Sequence, residues 1–322
     1  MRRNSALQVA VCRVLISFFL LAGGAFAQKV APVKVDFRFV SAFGQKGNGQ
    51  GQFHDPSGIA VDPVGSLYVA DTGNDRIQKF DLDGDYLSEV GGFGWDAGRF
   101  NRPVGVAVGR GGLELYVADG RNNRIQIFSP HFRLLGVVGG QDVEGPVALG
   151  ALGGIAVSQE GELYVSDTDA DQMVQISTYN QTDRSFGGYG YGAGRLRRPL
   201  GLAVGGQAEV YVCDSENDRI AVFDRFGNFK RSLGEGTLSE PAGVCAGVKG
   251  TLFVADTGHH RVLVFDLASG EVLRWIGGPD PGQKSGTFKA PRGLVLGPRN
   301  VLYVLDTGNS RVQKFQVLVP RR

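Results

Sequence analysis

The chain has 322 residues, with 34 Lys and Arg against 32 Asp and Glu, 50 glycines, 42% hydrophobic and 20% charged residues. That composition is globular, with enough apolar material for a sizeable core. The near-neutral balance gives no global case for nucleic-acid binding, and the glycines show no three-residue period, which excludes a collagen-like chain.

In chain order, residues 1–27 read as a secretory signal. Arg2 and Arg3 form a basic start, Val14 to Ala22 is an apolar run, and Ala25-Phe26-Ala27 is a small-x-small cleavage site. Arg13 interrupts the apolar stretch, which favours a cleaved signal over a membrane anchor, and no later stretch reaches the length of a span. The expected location is periplasmic or extracellular. Without its three arginines the balance becomes 31 basic against 32 acidic residues. Residues 28–35 form a short linker, and 36–322 a single domain.

From there one unit recurs: Gly-apolar-Ala-Val, a turn, Leu-Tyr-Val-Ala-Asp, a polar loop, then Arg-apolar-x-apolar-Phe. The Asp closing the second segment falls at Asp71, Asp119, Asp167, Asp214, Asp256 and Asp306, about 47 residues apart on average. The Arg opening the third falls at Arg76, Arg124, Arg219, Arg261 and Arg311, with Gln172 in the third copy. The first copy is expected to form strands at 58–61, 67–70, 77–80 and 86–90, short and rich in Val, Ile, Tyr and Phe. Asp62-Pro63-Val64-Gly65 and Asp81-Leu82-Asp83-Gly84 are turns between them. Four antiparallel strands repeated six times predict an all-β, six-bladed β-propeller. The last copy stops after its third strand, 312–317. The missing fourth appears at 37–43, where Val40-Ser41-Ala42-Phe43-Gly44 is similar to Leu87-Ser88-Glu89-Val90-Gly91. The ring is therefore expected to close by the N-terminal strand completing the last blade, which removes two exposed edges.

Pro56-Ser57-Gly58-Ile59-Ala60-Val61-Asp62 followed by Asp71-Thr72-Gly73-Asn74-Asp75-Arg76-Ile77-Gln78-Lys79-Phe80 resembles the NHL repeat. The likeness recurs across 53–315, with a degenerate third copy that lacks the Pro and the Arg. The resemblance implies a six-bladed propeller, and says little about chemistry.

The repeated Asp and Arg recur once per blade, so their expected role is structural: capping a hairpin loop and linking strands or blades. An active site breaks symmetry, and this pattern keeps it. His54, His131, His259 and His260 do not converge in the expected topology, so no zinc site is read from them. The x of each Pro-x-Gly (Ser57, Val104, Leu200, Ala242 and Arg292, with Gly153 in the degenerate copy) should surround the axial channel. With Arg292 the one charge in six, this is neither a ligand set nor an acid–base pair. No cofactor is expected; a calcium ion held by axial backbone carbonyls would leave no trace in the sequence. Gly47-Asn48-Gly49-Gln50-Gly51 and Gly190-Tyr191-Gly192-Ala193-Gly194 are plain loops, because a phosphate loop needs a following helix.

The loops between blades carry the most information. Phe93-Gly94-Trp95-Asp96-Ala97-Gly98-Arg99-Phe100 parallels Tyr189-Gly190-Tyr191-Gly192-Ala193-Gly194-Arg195-Leu196. Phe93, Trp95, Arg99, Tyr189, Tyr191, Arg195 and Arg292 are the candidate binding residues, with Arg102, Arg197 and Arg198 adding positive charge. Aromatics beside Arg typify recognition surfaces. The expected function is a monomeric, non-catalytic platform for a protein, peptide or polysaccharide, acidic or carboxylate-bearing. The alternative implied by the resemblance is a metal-dependent lyase similar to the peptidyl-hydroxyglycine amidating type; the chain lacks a convergent His set for it. RNA binding, as in some cytoplasmic NHL proteins, fits poorly with an export signal. Cys213 and Cys245 replace small residues in neighbouring blades and are expected to stay reduced. Asn180-Gln181-Thr182 matches a glycosylation acceptor.

Overall fold

The computed structural model describes residues 34–140, 147–177, 182–206 and 208–319. The signal-like segment, most of the linker, Asn180 and Gln181 lie outside them. Six four-stranded antiparallel sheets form the blades of a propeller. Blade 1 runs Gly58–Val61, Ser66–Asp71, Arg76–Asp81 and Tyr86–Gly91. The last three of these strands are each a residue or two longer than the sequence pattern suggested. Blades 2 to 5 follow in chain order, beginning at Pro103, Leu152, Pro199 and Pro241.

Blade 6 is assembled from both ends of the domain. Leu294–Gly297, Val301–Asp306 and Arg311–Leu318 supply three strands, and Asp36–Phe43 the fourth. The register runs from Asp36 opposite Leu318 to Phe43 opposite Val312, with a bulge at Val40. The same bulge occurs in blade 1, where Phe80 faces Tyr86 and Lys79 faces Ser88. The N-terminal segment thus reproduces an ordinary fourth strand, and the closure expected from the sequence is the closure observed.

The second strands are buried along their whole length, apart from Val301 at the start of that in blade 6, which is why they read as continuous apolar runs. The core lies between blades: Ala60, Tyr68, Ala70 and Ile77 of blade 1 pack on Phe100, Val106, Val117 and Phe128 from the blade 2 side. Burying side chains of this size contributes about 1.5–3 kcal/mol each. Adjacent blades are also stitched by hydroxyls. Thr72 Oγ1 donates to the Pro103 carbonyl at 2.7 Å, Thr257 to Pro291 at 2.7 Å, and Thr307 to Pro56 at 2.8 Å across the seam.

The inner strands come unusually close. A Cβ added to Gly58 would lie 2.8 Å from the Gly105 Cα, and one added to Gly201 3.0 Å from the Gly243 Cα. The glycine of each Pro-x-Gly is therefore required by backbone contact between neighbouring blades, and it sets a narrow axis. Among the described residues no helix is long and apolar enough to cross a membrane. Cys213 and Cys245 are unbridged. Burial raises the Cys213 thiol well above its usual range and pushes that of Cys245 up to about 12.

Candidate functional site

Five blades carry the same polar clamp at one end. In blade 2 the buried Asp119 accepts the Asn101 amide at 2.8 Å through one oxygen. Its other oxygen accepts Asn122 at 2.9 Å, Arg124 Nε at 2.8 Å and Gln126 at 3.1 Å. Arg124 then reaches into the preceding blade-to-blade loop, donating to the carbonyls of Trp95, Asp96 and Arg99 at 2.5–2.9 Å. Asn122 holds the Gly94 carbonyl at 2.9 Å. Asp214, Asn217 and Arg219 do the same in blade 4, with Arg219 on the carbonyls of Gly192 and Arg195. Asp71 with Arg76 and Asp306 with Arg311 repeat the geometry in blades 1 and 6. In blade 5, Asp256 pairs with Arg261, which holds the Thr237 carbonyl. Burial raises the Asp119 and Asp214 carboxyls, while the hydrogen bonds they accept pull the other way.

Two of the four histidines, His259 and His260, are absorbed into this framework. His259 stands where other blades have Asn, its Nδ1 3.0 Å from Asp256. His260 stands where Asp75 stands in blade 1, and its Nδ1 accepts the Ala290 amide at 3.1 Å. Among the described residues no three His, Cys, Asp or Glu side chains converge as a metal site would require.

The clamped loops present their aromatics outward. Phe93 is 60% exposed, Trp95 66%, Tyr189 66% and Tyr191 67%. Phe93 and Trp95 meet edge-on at 5.1 Å, Tyr189 and Tyr191 at 6.4 Å. The loops are anchored from below by Phe100 and Leu196, both fully buried. Arg99 and Arg195 do not join the aromatics. Each turns back on its own loop, donating to the Gly91 carbonyl at 2.8 Å and the Gly187 carbonyl at 3.1 Å. Instead Arg197 lies over Tyr191 at 4.6 Å and Tyr189 at 5.9 Å, and pairs with Glu216 at 2.8 Å.

A cavity of about 390 Å³ occupies the axis. The x positions line it as expected, but it is not a site with one charge in six. Arg102, Arg121, Arg198 and Arg292 all reach it, and among the described residues no Asp, Glu or His does. Two of the additional arginines arrive through the backbone. Arg102 and Arg198 directly precede prolines yet adopt left-handed φ of 52° and 48°. That conformation costs a non-glycine residue about 1–3 kcal/mol. Their amides are held by carboxylates of the preceding blade, Asp75 at 2.7 Å and Asp171 at 2.6 Å. Asp55, Glu240 and Ala290 share the conformation at the equivalent points, so the bend belongs to the framework and only the residue it carries varies. Arg121 comes from the turn after Asp119, where blade 1 has Gly73.

Comparison with known proteins finds five of the six repeats. The NHL repeat model matches residues 53–80, 100–128, 196–223, 238–265 and 288–315, passing over blade 3. Protein brain tumor of Drosophila melanogaster is 27% identical over 193 residues, 60% of this chain and 14% of that protein. NHL repeat-containing protein 3 of Mus musculus is 35% identical over 65 residues, 20% of this chain and 19% of that protein. The chain thus spans under a fifth of the length of these curated relatives. Among solved structures, virginiamycin B lyase from Staphylococcus aureus superposes with a TM-score of 0.60 at 14% identity, covering 89% of this chain and 100% of that one. An auxiliary nutrient binding protein from Bacteroides thetaiotaomicron gives 0.65 at 13% identity, covering 89% and 77%. At these identities the structural matches show the fold alone.

Proposed function

The chain belongs to the NHL-repeat family, and on that footing we propose that it is an exported, monomeric binding platform that holds an extended peptide or protein segment without chemistry. The observation that carries this reading is the pairing of exposed aromatics with immobilised loops. Phe93, Trp95, Tyr189 and Tyr191 face solvent, while Arg124 and Arg219 fix the carbonyls of the loops that carry them. An aromatic surface that is already ordered loses little conformational freedom on binding. A polysaccharide can stack on the same rings; Arg121, Arg198 and Arg292 at the axis, and not Arg99, Arg195 or Arg197, favour a ligand with carboxylates.

The two tryptophans, Trp95 and Trp275, provide the test. In a Trp275→Phe background, fluorescence of Trp95 is titrated with a panel of acidic and neutral peptides and with acidic and neutral oligosaccharides. Saturable quenching by an acidic peptide, lost in Tyr191→Ala, supports the reading. A flat response across the panel, or quenching indifferent to Tyr191, removes it.

A further inference from the structure

The axial cavity has two levels with different chemistry. At the level where the blade-to-blade loops descend, Arg102, Arg121, Arg198 and Arg292 supply four positive charges. Deeper, one aliphatic side chain per blade completes the wall: Ile59, Val106, Ile155, Leu202, Val244 and Leu294. Each packs into a core cluster between blades and is only 5–7% exposed, so it shows the cavity an edge, and the six occupy the same strand position, two residues after the x of Pro-x-Gly. Between the levels lies the glycine ring, which adds no side chains. The remaining polar side chains of the lining, Ser57 and Thr168, already donate to the carbonyls of Val104 and Ala151 at 2.8 and 2.9 Å. Among the described residues, only Arg102 of the four arginines has a carboxylate partner, Asp55 at 2.7 Å. No hydrogen bond or ion pair among the described residues occupies the guanidinium groups of Arg121, Arg198 or Arg292.

We propose that this cavity is a receptor for an apolar carboxylate, the C-terminal residue of a peptide, with its carboxylate among the arginines and its aliphatic side chain in the shaft below. Guanidinium groups recognise carboxylate in bidentate fashion, and like charges converging in a narrow mouth with low-dielectric walls focus their field on an entering anion. The volume is that of a small-ligand site. The aliphatic shaft decides the class of ligand. A polynucleotide would present phosphates to the rim and have nothing to place on six aliphatic side chains, whereas a terminal Leu, Ile or Val satisfies both levels at once. The assignment rests on this face being the binding face, but it does not use the aromatic loops.

The experiment is calorimetric titration of the full chain with N-acetyl-glycyl-leucine as the free acid and as the carboxamide. Sodium hexanoate, sodium phosphate and an oligouridylate are run in parallel. The free acid should bind, and the carboxamide should bind at least tenfold more weakly. Arg198→Gln combined with Arg292→Gln should abolish binding, and Arg121→Gln, a change on an exposed turn, should weaken it severalfold without affecting folding. Trp95→Ala with Tyr191→Ala should leave this small probe's affinity unchanged, which separates failure of the axial site from failure of the loop surface. Hexanoate binding as tightly as the dipeptide would overturn the peptide assignment in favour of a fatty acid. Equal binding of acid and amide, or phosphate or oligouridylate binding in place of the dipeptide, would overturn the proposal.

Discussion

Blades 3 and 6 depart from the common pattern in opposite ways. Blade 3 is continuous in the chain but has lost its clamp: Gln172 replaces the Arg, Leu152 the Pro, and Asp167 accepts only backbone amides, those of Gly150, Asp169 and Ala170. Blade 6 is built from two distant segments yet keeps every clamp member. Asp306 accepts Lys289 N, Asn309, Arg311 and Gln313, and Arg311 and Gln313 hold the Thr287 carbonyl. The difference indicates what the clamp is for. Hydrogen bonds along four contiguous strands suffice to form a blade. The buried ion pair is kept in four contiguous blades as well as in blade 6, and what these blades share is an Arg that holds the carbonyls of the preceding blade-to-blade loop. A buried pair is weak evidence of net stability, but breaking one by removing a partner is costly.

The largest effect should come from deleting residues 28–44. Blade 6 would lose its fourth strand, exposing the edge of Arg311–Leu318 and uncovering Phe315 and Val317. We expect a loss on the order of 4–8 kcal/mol, read from the midpoint of urea unfolding; an unshifted midpoint would refute closure by this strand. Next, Asp306→Ala should cost about 3–5 kcal/mol, because Arg311 is left without its buried counter-ion. Asp167→Ala should cost only about 1–2 kcal/mol, the worth of its amide hydrogen bonds. Equal losses at the two sites, in the same urea assay, would remove the distinction between the blades. Restoring the consensus with Gln172→Arg should gain no more than about 0.5 kcal/mol, and a large gain would mean that blade 3 is merely damaged.

Two smaller effects extend the comparison to residues outside the clamp. Trp95→Ala combined with Tyr191→Ala should change unfolding free energy by less than about 1 kcal/mol, since both rings are exposed. A larger loss would make them part of the loop core. Cys213 and Cys245, in the intact blades 4 and 5, should alkylate very slowly with iodoacetamide at pH 8. Their raised pKa values leave little thiolate below pH 9, and both should react fully once denatured. Finding no free thiol after denaturation would show a bridge.

Most of the fold was legible because it is repeated. Six instances of Leu-Tyr-Val-Ala-Asp or its variants fix the blade number. The missing strand after Phe315 and the spare one before Gly44 fix the closure, since a four-strand unit leaves one of each. The site was less legible, for local reasons. Arg99 and Arg195 look like surface cations in the sequence, but a loop carbonyl lies within reach of each and takes its guanidinium. Arg197 stacks on the tyrosines because the loop folds back over it, which spacing alone does not reveal. Arg102 and Arg198 reach the axis through left-handed backbone ahead of a proline, a conformation residue type would argue against. Arg121 is marked only by standing where blade 1 has a glycine.

The seam in blade 6 has a mechanical side. Asp36 and Leu318 face each other at the same end of an antiparallel ladder. Traction that draws the two ends apart therefore loads one rung at a time, peeling the strand from its partner instead of shearing all the rungs together. A tether on one side only leaves the ring unloaded, whereas anchorage on both sides makes this ladder the first part to yield.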